Sequence, residues 1–223
     1  MGSGQGDQPD PTRPCSRFLS AYWTDTMKND EAAIRTVRVS PIPALHPVVR
    51  ITRMTEHQPY RLVRTFDGFE LRRYPECAFV QVNVDGEFDR AGNRGFRPLF
   101  NYITGDNASA TKFSMTAPVI QQETTDHGNI ISFVLPAGTD RDAIPAPRNS
   151  QVTTTVIAAH TAATARFRGG WSESLFRKKG AELLRMVEAA GLETKSEPYY
   201  ARFDPPWMPG LLRHNEVLVD VLP

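Results

Sequence analysis

Cysteine is scarce in this 223-residue chain, which carries only Cys15 and Cys77. Two unmatched cysteines make no disulfide framework, so a reducing compartment, the cytoplasm, is the expected location. No Cys-x-x-Cys pair or Cys/His cluster occurs, which removes the case for a structural zinc site. One-sided charge is missing too. The 26 Lys and Arg against 25 Asp and Glu leave a formal net charge of +1, and bulk electrostatics gives no reason to expect nucleic acid or a membrane surface as partner. No apolar run is long enough to span a bilayer. The opening "MGSGQGDQPDPTRPCSR" has no hydrophobic region of the secretory kind, and Gly6 stands where a myristoylation signal wants Ser or Thr. The expectation is a soluble protein, monomeric by default.

Catalytic signatures are also missing. The chain has no Gly-x-Ser-x-Gly, Walker, Gly-x-Gly-x-x-Gly or His-Glu-x-x-His motif. The five histidines, 46, 57, 127, 160 and 214, are scattered, and none has a second ligand at metal spacing. Glu70 and Glu76 flank a strand without forming an acid–base pair. These absences favour a binding protein over an enzyme. Individually, His127 reads as a solvent-facing loop residue and His160 as a residue at a strand turn. His214, just before "NEVLV", has the option of facing a cleft, although a role outside ligation is favoured for it.

What is present falls into two stretches. Residues 1–53 read as a disordered or weakly structured N-terminal extension. Its first 17 residues are rich in Gly, Pro, Asp and Gln and cannot bury enough surface to offset ordering. A short amphipathic helix is possible in "SRFLSAYWTDTMKNDEAAIRTV", before the prolines of "SPIPALHP" interrupt the pattern. Residues 54–223 read as one domain, with its compact part starting near Tyr60. "FELRRY" and "AFVQVNV" are strand-like, and Ala78, Val80, Val82 and Val84 share one face opposite Phe79, Gln81 and Asn83. The period then changes. Phe88, Ala91, Phe96, Leu99, Phe100 and Ile103 fall at helical spacing, with Pro98 expected to kink the helix or shift its start and Gly105 to stop it. "MTAPVIQQ" and "NIISFVLP" follow as strands joined by the polar hairpin loop "ETTDHG".

The second half repeats this order. "QVTTTVIAA" and "TAATARFRG" read as strands. "WSESLFRKKGAELLRMVEAAG" reads as a helix capped by Ser172, with a stripe of Leu175, Leu183, Met186, Val187 and Ala190, ended by Gly191. "EPYYARFD" and "NEVLVDVL" close the chain as strands. Two ββαββ units, at roughly 66–135 and 151–222, imply an α+β fold. It is a distorted antiparallel β-barrel of two pseudo-symmetric halves, with one helix from each packed on the sheet.

The first helix sets Phe88, Phe96, Phe100 and Tyr102 beside Arg90, Arg94 and Arg97. Such a surface suits a flat apolar ligand carrying carboxylates, which arginine matches with two parallel bonds; an ordinary amphipathic helix has the same pattern. The run "KFSMTAPV" (Lys112 to Val119) resembles the signature of the SOUL heme-binding family. "GFELRRYPE", "FRPLFNYITGDN" and "YYARFDPPWMPGLLRHNEVLV" resemble that family's first strand, the end of its first helix, and its C-terminal segment, in the same order across residues 60–222. The resemblance implies the distorted barrel already read from the repeat. It also implies reversible binding of heme or a related tetrapyrrole, without turnover, in an apolar groove between the first helix and the Asp-Pro-Pro loop. By matching positions the groove is lined by Asn93, Phe96, Leu99, Phe100 and Met208, with Arg94 and Arg97 close by. In another branch an axial His precedes the Tyr of the first strand; Arg73 occupies that position here, which leaves no evident iron ligand. A sensor or interaction module binding another small apolar ligand is the alternative. Within "MTAPV", Pro118 suits an edge or bulge, and Met115 suits a gap under the first helix.

Overall fold

A computed structural model describes residues 55–126 and 128–222. The expectations for residues 1–53, for a start at Met54 and for His127 lie outside the described residues. The strands are β1 (Glu56–His57), β2 (Arg61–Thr65), β3 (Glu70–Tyr74), β4 (Cys77–Val84), β5 (Thr116–Ala117), β6 (Val119–Glu123), β7 (Asn129–Val134), β8 (Val152–Ile157), β9 (His160–Arg168), β10 (Tyr199–Arg202) and β11 (His214–Asp220). The helices are α1 (Phe88–Ile103) and α2 (Glu173–Ala189).

Nine strands form one curled antiparallel sheet in the order β2-β3-β9-β11-β10-β6-β7-β4-β8. Apart from β1, β2 and β5, each half contributes ββαββ: β3, β4, α1, β6, β7, then β8, β9, α2, β10, β11. Each half gives its first strand to the other. β3 pairs with β9, and β8 pairs with β4. Exchanging the two sets of strands therefore maps the order of these eight strands onto itself, with β2 added at one edge. The edges β2 and β8 stay apart, so the expected barrel is an open half-barrel.

The period of two decides which residues meet the helices. Val80 and Val82 of β4 and Ile131 and Phe133 of β7 pack under α1 with Ala91, Leu99 and Tyr102. Ala163 and Phe167 of β9 and Val217 and Val219 of β11 pack under α2 with Phe176, Leu183 and Val187. Burying each large apolar side chain contributes about 1.5–3 kcal/mol. The expected face of β4 is the one buried.

Local expectations met four corrections. Pro98 does not shift the start of α1, which runs through it from Phe88 to Ile103. Gly92, Gly95 and Tyr102 join the buried face of α1, while Phe96 and Phe100 lie half-buried at its margin. Ser172 occupies the N-cap of α2 but its side chain caps nothing. Asp89 in the first turn of α1 instead accepts the Glu173 N–H at 2.6 Å, joining the starts of the two helices. "MTAPV" is not one strand. β5 forms a two-stranded parallel sheet with β1, and a cis Ala117–Pro118 bond separates it from β6. Met115 packs against the cluster under α1, as its flexible shape suggested. Gly105 and Gly191 follow the helices at φ 117° and 71°, conformations that glycine adopts readily.

Candidate functional site

The same alternation that buries one face of the sheet under the helices turns the other set of side chains into the hollow of its curl. β3 supplies Arg72 and Tyr74, and β4 supplies Phe79 and Gln81. Ile120 comes from β6 and Ser132 from β7. β9 supplies His160 and Arg166, and β11 supplies His214, Glu216, Leu218 and Asp220. Together with Tyr60, Phe203 and their neighbours they line a cavity of about 340 Å³, open to solvent on one side. That is the size of a small-molecule site. Its floor is the third apolar cluster, Tyr74, Ala162, Ala201 and Leu218, with Ile120, Tyr199 and Phe203 packed on it.

A buried ion pair crosses this floor. Arg72 Nη1 donates to Glu216 Oε2 at 2.8 Å, with side-chain exposures of 1% and 2%. Arg72 Nη2 reaches Glu216 Oε1 at 3.2 Å, and Arg166 Nε donates to the same oxygen at 2.9 Å. His214 Nε2 lies 3.3 Å from it. Burial works to raise the Glu216 carboxyl, but the hydrogen bonds from His214 and Arg72 outweigh burial and hold it below the ordinary carboxylate value. Burial likewise works against the Arg72 cation, and Glu216 overcomes it, so the guanidinium is held more firmly protonated than usual. Burial raises the phenols of Tyr74 and Tyr199 and keeps both neutral. The floor thus presents a fixed, internally neutralised dipole.

Aromatic rings form the walls. Tyr60 tilts on Tyr74 at 5.7 Å, and Tyr74 stacks on His160 at 5.3 Å. Phe203 stacks on His214 at 4.3 Å, with His57 edge-on to it at 5.4 Å. The Arg72 guanidinium lies over the Tyr60 ring at 4.1 Å. Arg166 is the exposed cation at this site, with its side chain 57% open.

The residues expected to line a groove do not line this cavity. Asn93, Arg94 and Arg97 are exposed on α1. Arg94 donates to the Asp85 carbonyl at 3.1 Å. Phe96 and Phe100 stack on each other at 5.8 Å, and Leu99 is wholly buried under the helix. Met208 is half-buried in the loop between β10 and β11, where its carbonyl accepts from Arg213 Nε at 2.8 Å. Near the start of α1 another cation is buried. Arg202 lies beneath Gly92 and over the Trp171 ring at 4.9 Å. It donates to Gln121, while its Nε has no partner, and burial lowers it to about 10. The Arg213 guanidinium covers the same Trp171 ring at 4.1 Å. Arg73, at the position of the axial His in one branch, is exposed and donates to Thr161. Its β3 neighbours Arg72 and Tyr74 line the cavity, so position 73 alternates to the other face.

The family model for SOUL heme-binding protein matches residues 55–220. The chain belongs to the SOUL heme-binding family. Heme-binding protein 1 of Xenopus laevis is 27% identical to it over 158 residues, covering 67% of this chain and 82% of that protein. Among solved structures, the EcmrR C-terminal domain superposes with a TM-score of 0.51 at 17% identity, covering 73% of this chain and 98% of that one. EcmrR in its complex with DNA gives 0.53 at 16% identity, over 69% and 56%. At such identities these two are similar to this SOUL chain in fold alone. No described helix is long and apolar enough to cross a membrane, and the described residues contain no group of three or more His, Cys, Asp or Glu arranged to hold a metal ion.

Sequence reasoning passed over the cavity, although one signal for it was present. His214, Glu216, Leu218 and Asp220 recur at a period of two, as do Arg72 and Tyr74. A mixed polar and aromatic face of that kind reads equally well as a solvated surface.

Proposed function

We propose that this SOUL protein binds heme or a related tetrapyrrole reversibly, as a carrier or buffer without turnover, and that the ring enters the hollow of the sheet. Family membership supports the ligand class. The observation that carries the location is the 340 Å³ cavity, whose walls include the stacked pairs Tyr74–His160 and Phe203–His214 and whose cations sit at its floor and rim. A flat apolar macrocycle gains from aromatic stacking, and its carboxylates gain from the positive charge of Arg166, whose Nε and Nη2 are held by Glu216 and the Tyr60 hydroxyl. The cavity has room for part of such a ring, and the remainder would project through its open side. When bound, heme would supply a metal centre; the chain's own part is to stack, neutralise and exclude water. Glu216 is held ionised by its cationic neighbours, which suits a structural counter-ion and not a proton donor.

The other location is the helix-side groove that the family resemblance implies, between α1 and the Asp204-Pro205-Pro206 loop. There Asn93, Arg94, Phe96, Arg97, Phe100 and Met208 would meet the ring, above the buried Arg202. Hemin titration followed by the Soret band separates the two. Ile120→Trp narrows the cavity, whereas the pair Phe96→Ser and Arg97→Ala alters the α1 face. The expected result is a saturable band that Ile120→Trp weakens by at least about tenfold, a loss of about 1.4 kcal/mol, while the α1 pair leaves it unchanged. The reverse pattern would place the ring on α1. No saturable band with the unaltered protein would overturn the tetrapyrrole reading in favour of a module for another small ligand.

A further inference from the structure

Between Asp204 and Arg213 the connection from β10 to β11 reads Pro-Pro-Trp-Met-Pro-Gly-Leu-Leu, eight residues without a charged side chain. Such a run belongs in a core, yet it stands outside. Leu211 is 86% exposed, Trp207 68% and Leu212 56%, and the first two are the most exposed large apolar side chains among the described residues. Pro206 and Pro209 are exposed beside them. Single exposed leucines are ordinary, but an apolar tip of this kind marks a contact surface.

Hydrogen bonds fix the tip in this exposed form. The Met208 N–H donates to the Pro205 carbonyl at 3.1 Å, the Leu212 N–H to the Pro209 carbonyl at 2.9 Å, and the Arg213 N–H to the Gly210 carbonyl at 3.2 Å. Arginine side chains satisfy further carbonyls. Arg213 donates to the carbonyls of Met208, at 2.8 Å, and Pro206, and Arg168 donates to that of Leu212 at 3.3 Å. The three prolines have no N–H to satisfy. Backbone groups paired in this way lose little when water is removed from around them. The Asp204 carboxylate accepts the His214 N–H at 2.5 Å, which ties the acid to the base of the loop. The base is otherwise cationic. Arg168 is exposed there, and the guanidinium groups of Arg213 and Arg202 lie 4.1 Å and 4.9 Å from the Trp171 ring.

We propose that this loop is a shallow anchor for an anionic lipid surface. Trp207, Leu211 and Leu212 enter the boundary between headgroups and acyl chains, and Arg168 and Arg213 meet the lipid phosphates. Tryptophan favours that depth, and an arginine lays its stem along apolar surface while its head stays among polar groups. The chain's net charge of +1 supplies no such attraction; the attraction is local, from cations within a Debye length of the surface. Three side chains fall well short of the roughly 800 Å² that each partner of a stable protein complex buries, whereas a lipid surface demands no matching shape. One loop of this size gives weak, reversible attachment. The anchor does not depend on which ligand the cavity takes.

The test mixes the full chain with vesicles of phosphatidylcholine alone, or of phosphatidylcholine and phosphatidylserine in equal parts, and reads co-sedimentation and tryptophan emission. The expected result is partition into the anionic vesicles, weaker as salt rises, with a blue shift of the emission. Leu211→Ser with Leu212→Ser should weaken partition by about tenfold or more. Trp207→Phe should keep most of the partition and lose the blue shift. Leu62→Ser with Val63→Ser, at two β2 side chains that are 50% and 45% exposed, should change neither readout. Every altered side chain is solvent-exposed, so thermal melts of the variants should overlay that of the unaltered protein. Absence of partition, or equal partition of the leucine variant and the unaltered protein, would overturn the anchor. Equal partition into neutral vesicles would overturn the role given to the arginines. Self-association that the leucine pair abolishes, without any vesicle binding, would overturn the lipid reading and make a second copy of the chain the occupant.

Discussion

Glu216 and Arg72 offer the sharpest test of how the cavity floor is held. Replacing Glu216 by Gln removes the charge opposite a guanidinium that is 1% exposed. Stranding one member of a buried pair costs about 3–5 kcal/mol. Arg72 keeps a bond to Glu70 at 2.8 Å and one to the Tyr74 hydroxyl at 3.3 Å, so the lower end applies, about 3 kcal/mol. With a urea slope of about 2 kcal/mol/M, the unfolding midpoint should drop by about 1.5 M. Removing both charges at once, in Arg72→Met with Glu216→Leu, takes away the desolvation cost of both ions. Arg166 remains half-solvated. The double variant should therefore lie within about 1 kcal/mol of the original protein. The same pair sets a pH dependence. The folded Glu216 is held below its ordinary value, so its contribution is fully present above the unfolded pKa of about 4.3 and fades as pH falls through the folded value. Urea unfolding of the two singles and the double, at neutral pH and again at acid pH, measures all of this. A Glu216→Gln loss below about 1 kcal/mol, or a double variant as weak as the sum of the singles, would refute the reasoning.

Three further outcomes follow from the helices. Asp89→Ala should cost about 1 kcal/mol by uncapping α2, whereas Ser172→Ala should cost little, and denaturant midpoints of the two rank them. Gly95→Ala should lower Tm despite alanine's better helix propensity, because the added carbon would stand 2.7 Å from Ile131 Cβ, and overpacking of this kind costs about 1–3 kcal/mol. Gly92→Ala should behave likewise, since it drives a carbon into the Arg202 guanidinium; pairing it with Arg202→Met should recover most of the loss, as a thermal melt of the double variant would report.

Element order and the buried faces of β4 and α1 were legible because periods of 2 and 3.6 are local properties. The expected face, Ala78 to Val84, is the one under α1. The cavity was not legible, because its parts come from strands far apart in the chain; Arg72 and Glu216 are 144 residues apart. His214 was noted as able to face a cleft, and it does. His160 was read as sitting at a strand turn; it begins β9, and only the pairing with Tyr74 turns it inward. Ser172 looked like a cap by sequence, but Asp89, brought close by the packing of α1, meets the N–H first. The α1 residues Asn93, Arg94, Phe96, Arg97, Leu99 and Phe100 were selected by resemblance. Of these, Leu99 is committed to the core, a distinction that helical spacing does not draw.

The exchange of first strands between the halves bears on how such a chain is put together. β3 pairs with β2 on one side but finds its second partner only once β9 exists, and β8 lies beside β4, so each half finishes a surface begun by the other. Two separate copies of a ββαββ segment, lending each other a strand, would make the same sheet as a twofold dimer. Here one polypeptide holds both copies in a fixed ratio. That arrangement frees the copies to diverge, and it allows one hollow to carry Arg72 from the first and Glu216 from the second, a pairing that identical subunits could only duplicate.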